Sequence, residues 1–133
     1  MSIPALILAP QVKTALDAGF AAAFEGSPAR YFSAPGRTEI GGNHTDHQRG
    51  RVLAAAVNLD TVAAVTPRED SNVSIYSEGY APLHLSLEDL SVREDEQGTT
   101  AALVRGVAAG MQADGLKIGG FDAYTTSDVL KGS

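Results

Sequence analysis

The sequence contains no cysteine. That excludes disulfides, thiolate zinc centres and cysteine nucleophiles. It is also short of cations: 10 Lys and Arg stand against 16 Asp and Glu, for a net charge of −6 and a pI near 4.9. A duplex-binding protein clusters cations to neutralise phosphates, so nucleic acid is not expected as a partner. A small anionic ligand needs only a local site and stays open. No long apolar run is present. Residues 3–10 are far too few to cross a bilayer, lack a basic flank and are interrupted by Pro4 and Pro10. A soluble, cytoplasmic protein with no membrane partner is the expectation. Neither repeats nor low-complexity linkers occur, so the 133 residues and 13.8 kDa read as one domain, residues 1–133. Surface scaling predicts roughly 6,600 Å² exposed after folding against about 20,000 Å² extended, so about two-thirds would be buried.

What is present alternates between helical and extended periodicity. Val12, Leu16, Phe20 and Phe24 recur every four residues between Pro10 and Gly26, which predicts a helix with one apolar stripe. Residues 30–34 read as a short strand ending at Pro35-Gly36. Residues 52–65 are rich in Val, Leu and Ala, and Asn58-Leu59-Asp60 interrupts them, which predicts two adjacent strands. Val73 and Ile75 alternate, as do Leu83, Leu85 and Leu87, with a turn at Glu78-Gly79 between them. The acidic run Glu88, Asp89, Glu94, Asp95 and Glu96 around Arg93 lacks ligand-like spacing and reads as a solvated loop rather than a cation site. Thr99 or Thr100 caps a second helix whose inner face would be Val104, Val107, Ala108 and Met111, and Gly115 ends it. Phe121, Ala123 and Thr125 alternate in a last strand. Strands in consecutive pairs with two helices give an α+β class, a mixed or antiparallel sheet with packed helices.

One window is chemically dense. Residues 34–50 hold Arg37, Glu39, Asn43, His44, Asp46, His47 and Arg49 among four glycines. Glycine lets backbone approach a ligand closely, and this mixture of carboxylates, amide, imidazoles and guanidinium offers donors and acceptors in one small volume. A polyhydroxylated molecule suits it, because each sugar hydroxyl both donates and accepts. Arg37 could place a permanent cation beside a transferring phosphoryl group. Other readings use the same residues. His44, Asp46 and His47 could ligate a metal. Asn43-His44-Thr45 and Asn72-Val73-Ser74 match the glycosylation sequon, a match of chance without a secretory signal. A surface turn whose Gly and Asn serve positive-φ positions is the plainest alternative.

In order, the window reads Gly36-Arg37, Ile40-Gly41, Asn43, His44-Thr45-Asp46-His47, Gly50 and Val52-Leu53-Ala54. This resembles the signature of galactokinases, in the GHMP superfamily of small-molecule kinases. The terminal Ser127-Asp128-Val129-Leu130-Lys131-Gly132-Ser133 resembles the approach to that superfamily's phosphate loop. The resemblance implies an incomplete N-terminal domain of the GHMP kinase fold and transfer of the ATP γ-phosphoryl group to the C1 hydroxyl of galactose, assisted by Mg²⁺. It implies that Arg37 is catalytic, that Asn43, His44 and Asp46 hold sugar hydroxyls, and that Gly132 and Ser133 begin a phosphate cradle. No protein metal site is implied. Asn43 stands where galactokinases carry an acidic residue, His47 where they carry Tyr and Ala54 where they carry Pro. The rest of the phosphate loop, the catalytic Asp and the C-terminal domain are not in the sequence. The expectation is therefore a fragment that is inactive alone, whose partner is the missing C-terminal half of the same protein. A kinase for a related sugar and a non-catalytic sugar sensor are the alternatives.

Overall fold

A computed structural model describes residues 8–42 and 50–130. Helix α1 (Pro10–Ala23) starts at a proline, whose missing N–H costs nothing in a first turn. Its four-residue stripe buries Leu16 and Phe20, with Val12 and Phe24 half-buried beside them. Strand β1 spans Arg30–Gly41 and strand β2 spans Leu53–Pro67. Both depart from the sequence expectation. Strand β1 does not stop at Pro35-Gly36 but continues through a register shift between Pro35 and Arg37. A bulge absorbs the proline that a regular ladder would reject. Residues 52–65 form one strand rather than two. Asn58-Leu59-Asp60 stays extended, because Asp60 pairs with Pro35 across the ladder and its side chain accepts the Ser33 hydroxyl at 2.6 Å.

Strands β3 (Asn72–Ser77) and β4 (Leu83–Ser86) pair antiparallel, and β5 (Phe121–Ser127) inserts between β2 and β3. The order is β1-β2-β5-β3-β4, with only β3 and β5 parallel, so the sheet is mixed as the sequence implied. Side chains alternate across the sheet. Val62 and Ala64 face α1, with Tyr31 and Tyr124 packed around them. On the opposite face Val73, with Ile75, Leu85 and Phe121, packs under helix α2 (Thr100–Ala113).

The Thr99 hydroxyl accepts the Ala102 N–H at 3.3 Å to cap α2, and Gly115, at φ 77°, closes its far end. The inner face of α2 is narrower than its periodicity suggests. Val104 and Ala108 pack into the core, whereas Val107 and Met111 remain exposed. Between them Arg105 is 4 % exposed. It donates to both carboxylate oxygens of Glu96 at 2.9 and 2.8 Å, to the Ser86 carbonyl at 2.9 Å and to the Asp89 carbonyl. The acidic run is thus only partly solvent-facing: Glu96 serves as the buried cation's partner, and Arg105 holds the Glu carboxyl below its usual range. The expected burial of two-thirds is not reached. The chain exposes 9778 Å², about half more than the roughly 6,600 Å² its mass predicts.

Candidate functional site

The chemistry-bearing window begins on the far half of β1. Arg37 lies opposite Ala56 and Glu39 opposite Ala54, between two register shifts, Pro35/Arg37 and Glu39/Gly41. Residues two apart on a strand share a face, and bulges re-aim what lies between them. The Arg37 Nη2 donates to Glu39 Oε1 at 2.8 Å, with the guanidinium largely solvent-exposed and the carboxylate much less so. The cation is oriented yet accessible. It differs in this from Arg105, sealed in the core, and from Arg68, which bridges Asp70 and Asp122 at the β2–β3 turn.

Next the chain reaches Gly41, paired with Leu53, and Gly42 at φ +94°. A Cβ on Gly42 would stand 2.4 Å from the Arg51 carbonyl oxygen and 3.0 Å from Val52 Cα. The strands bounding residues 43–49 are therefore pinched together, and only glycine permits both the φ and the approach. Asn43, His44 and Asp46, assigned to the sugar from the sequence, lie outside the described residues, as does the rival metal grouping with His47. Gly132 and Ser133 lie outside them too. Of the five candidate contacts and one catalytic candidate, the structure describes Arg37 alone.

It does describe what lies next to both motifs. Strand β5 ends beside β2, where the Thr61 and Ser127 hydroxyls share a hydrogen bond at 2.7 Å. The Asp128 N–H then donates to the Asp60 carbonyl at 3.1 Å, and the Val129 N–H to Ser127 Oγ at 3.2 Å. The methyls of Val129 come so near Gly36 that a Cβ there would be 3.1 and 3.2 Å away. Two motifs some ninety residues apart in sequence thus meet at Gly36, next to Arg37. Asp60 is the bridge, joined to Ser33 on β1 and to Asp128 after β5. On the α1 side, Ser33, Asn58, Asp60 and Asp128 line a hollow of about 440 Å³. Across the sheet, Thr61, Thr125, Ser127 and Val129 line another of about 540 Å³. Sequence reasoning missed this bridge. The signal was the polar triplet 58–60 inside an apolar strand, which reads locally as a break. Among the described residues, no three His, Cys, Asp or Glu side chains converge as a metal site.

The family model described as the galactokinase galactose-binding signature matches residues 18–67, which take in the end of α1 and the whole of β1 and β2. A galactokinase of Chloroflexus aggregans is 36% identical over 116 residues, 87% of this chain and 30% of that protein. One from Bacillus subtilis is 33% identical over 119 residues, 86% of this chain and 30% of its own length. The crystal structure of Lactococcus lactis galactokinase complexed with galactose superposes with a TM-score of 0.75 at 28% identity, over 90% of this chain and 32% of that one. A Methanococcus jannaschii mevalonate kinase, at TM-score 0.58 and 14% identity, shares the fold. The chain spans about three-tenths of the length of the galactokinases it matches.

Proposed function

We propose, for a chain that carries the galactokinase galactose-binding signature and shares the galactokinase fold over nine-tenths of its length, the sugar-holding share of a galactose kinase. The observation that carries this reading is the position of the signature: it coincides with the β1–β2 pair whose ends Gly42 pinches around residues 43–49. In the complete enzyme the C1 hydroxyl oxygen of galactose attacks the γ-phosphorus of ATP. An O–P bond forms, the bond to the β,γ-bridging oxygen breaks and ADP leaves. The hydroxyl proton passes to a base outside this chain. Such a transfer needs alignment and charge neutralisation more than covalent help from the protein.

Each residue then has a task. Arg37, exposed and steered by Glu39, meets charge that develops on the phosphoryl oxygens. Asp46 accepts two adjacent sugar hydroxyls, and Asn43 and His44 hold others. Gly132 and Ser133 start a backbone cradle for phosphate, where N–H groups at a helix start bind anions. Mg²⁺ would arrive on the nucleotide phosphates, which need only one or two carboxylates from a protein. The described residues supply no converging metal site, so no step is routed through the ion. No described helix is long and apolar enough to cross a membrane, and a cytoplasmic enzyme acting on free sugar fits this reading. Asn43, standing for an acidic residue, favours one second reading, a kinase for a related sugar. A neutral amide gives up one charge-assisted bond to a hydroxyl.

Titration calorimetry of the chain with galactose, glucose and galactosamine, with and without a zinc chelator, tests these assignments. Galactose should bind, and Asp46→Asn should abolish most of that binding without chelator dependence. Tighter binding of another sugar moves the assignment to that sugar. A chelator that reproduces the Asp46→Asn loss overturns the sugar site in favour of a metal. A coupled assay of the chain alone should show no ATP-dependent turnover, because the base lies elsewhere.

A further inference from the structure

Residues 34–50 contain two carboxylates, Glu39 and Asp46, and the sugar assignment uses only the second. Glu39 is the one the structure describes. Its side chain is 16 % exposed, against 66 % for Arg37, its ion-pair partner two residues back on β1. An ionised carboxylate offers two oxygens and about four acceptor positions. Among the described residues Arg37 alone donates to it, through one bond to Oε1 at 2.8 Å. A carboxylate this far withdrawn from water gains much from a donor that a ligand brings, because the bond forms where water competes least.

Small residues keep the space beside the pair open. Residues opposite one another on paired strands share a face, and Arg37 and Glu39 lie opposite Ala56 and Ala54. Both alanines are exposed. Gly41 follows on β1, and no described residue lies within 4 Å of where its Cβ would be. Alanine and glycine are poor strand formers, and sheet packing by itself favours β-branched residues at such positions. What these residues provide is room: a ledge of methyl groups beside a cation and an anion.

We infer that Glu39 is a specificity-determining residue of the sugar site, whose carboxylate accepts the hydroxyl on C2 of the hexose. The inference rests on the kinase reading, in which Arg37 meets the phosphoryl group at the C1 oxygen. A group bonded to Arg37 therefore lies beside C1. In the ring C1 has two neighbours, the ring oxygen and C2. A carboxylate only accepts, and the ring oxygen has no hydrogen to give, so the C2 hydroxyl is the donor that fits. The bond is charge-assisted, and a sugar lacking that hydroxyl leaves the carboxylate without its donor, which is where a site built to bond a hydroxyl discriminates most. The adjacent pair of ring hydroxyls left for Asp46 is then on C3 and C4.

Titration calorimetry of the chain with galactose, 2-deoxygalactose and glucose reads the two carboxylates separately, since the second sugar lacks the C2 hydroxyl and the third inverts C4. The chain should bind galactose about tenfold more tightly than 2-deoxygalactose. Glu39→Gln, which exchanges an acceptor oxygen for an amide donor, should bring galactose down to the level of 2-deoxygalactose and keep the preference for galactose over glucose. Should Glu39→Gln not fold, Glu39→Asp retracts the carboxylate by one methylene with its charge kept, and the same loss of the C2 preference is expected. A C2 preference that survives the substitution, or is absent from the unsubstituted chain, overturns the inference and leaves the sugar reading standing. An equal loss for all three sugars also overturns it, because Glu39 then acts only by orienting Arg37. Failure of the unsubstituted chain to bind galactose overturns both.

Discussion

Gly41 and Gly42 are adjacent, identical in sequence terms, and opposite in what a methyl group would do to them. At Gly41 no described residue lies within 4 Å of the place a Cβ would take. At Gly42 the Arg51 carbonyl oxygen lies 2.4 Å away, against an ordinary carbon–oxygen contact of about 3.3 Å, so the strands must part by ~0.9 Å. The φ of +94° adds the left-handed penalty of an L side chain, about 1–2 kcal/mol. Forcing a methyl into a closed contact adds about 1–3 kcal/mol. Gly42→Ala should therefore cost roughly 3 kcal/mol in urea unfolding, or about 12 °C for a chain of this size. Gly41→Ala should stay within about 0.5 kcal/mol. Parting the strands also displaces both ends of residues 43–49, so galactose affinity should fall at least tenfold in Gly42→Ala and hold in Gly41→Ala. Indistinguishable urea midpoints for the two variants would refute the pinch, and equal sugar affinities would refute its link to the site.

Other substitutions separate local preference from packing. Gly106→Ala and Gly110→Ala in α2 meet no described residue within 4 Å and should each stabilise the chain by about 0.5–1 kcal/mol in urea melts. Gly19→Ala in α1 places its methyl 2.2 Å from the Tyr124 ring and should lower the melting temperature despite the same helix-propensity gain. Arg105→Met leaves two carbonyls and a carboxylate without their donor and should cost about 2–3 kcal/mol by urea unfolding, with a full-strength loss excluded by the partial exposure of Glu96. Acid should destabilise the fold in a defined window. Ser91, through its hydroxyl and then its backbone N–H, and next Arg93 hold the Asp89 carboxyl down at about 2. Arg68 and Asn72 lower Asp70, and Arg105 lowers Glu96. Carboxyls depressed in the folded state stabilise it fully above the ordinary carboxylate range, and that stabilisation is lost as pH falls. The urea midpoint should be flat from pH 7 to 5 and decline from about pH 4 toward 2, and Asp89→Asn should make the decline shallower.

Local chemistry alone determined most of the element types and proposed the candidate window. A four-residue apolar period, a threonine cap and a closing glycine write α1 and α2 into the sequence, because helices are built from contacts within four residues. Alternation writes β3 and β5 in the same way. The density of Arg37, Asn43, His44 and Asp46 among glycines likewise singles out a candidate window without any fold. What no local pattern holds is which segments become neighbours. Whether Asn58-Leu59-Asp60 breaks a strand depends on Ser33 and Asp128, residues 27 and 68 positions away from Asp60 in the chain, which engage it only once β1, β2 and β5 align. Whether Val107 and Met111 belong to a core depends on what lies above α2, and tertiary structure left them exposed. The approach of Val129 to Gly36, which brings the second motif beside Arg37, exists only because β5 pairs with β2. Short-range periodicity decides what each segment is. Pairing across the sheet decides which chemistry meets, because that free energy arises between residues the sequence keeps far apart.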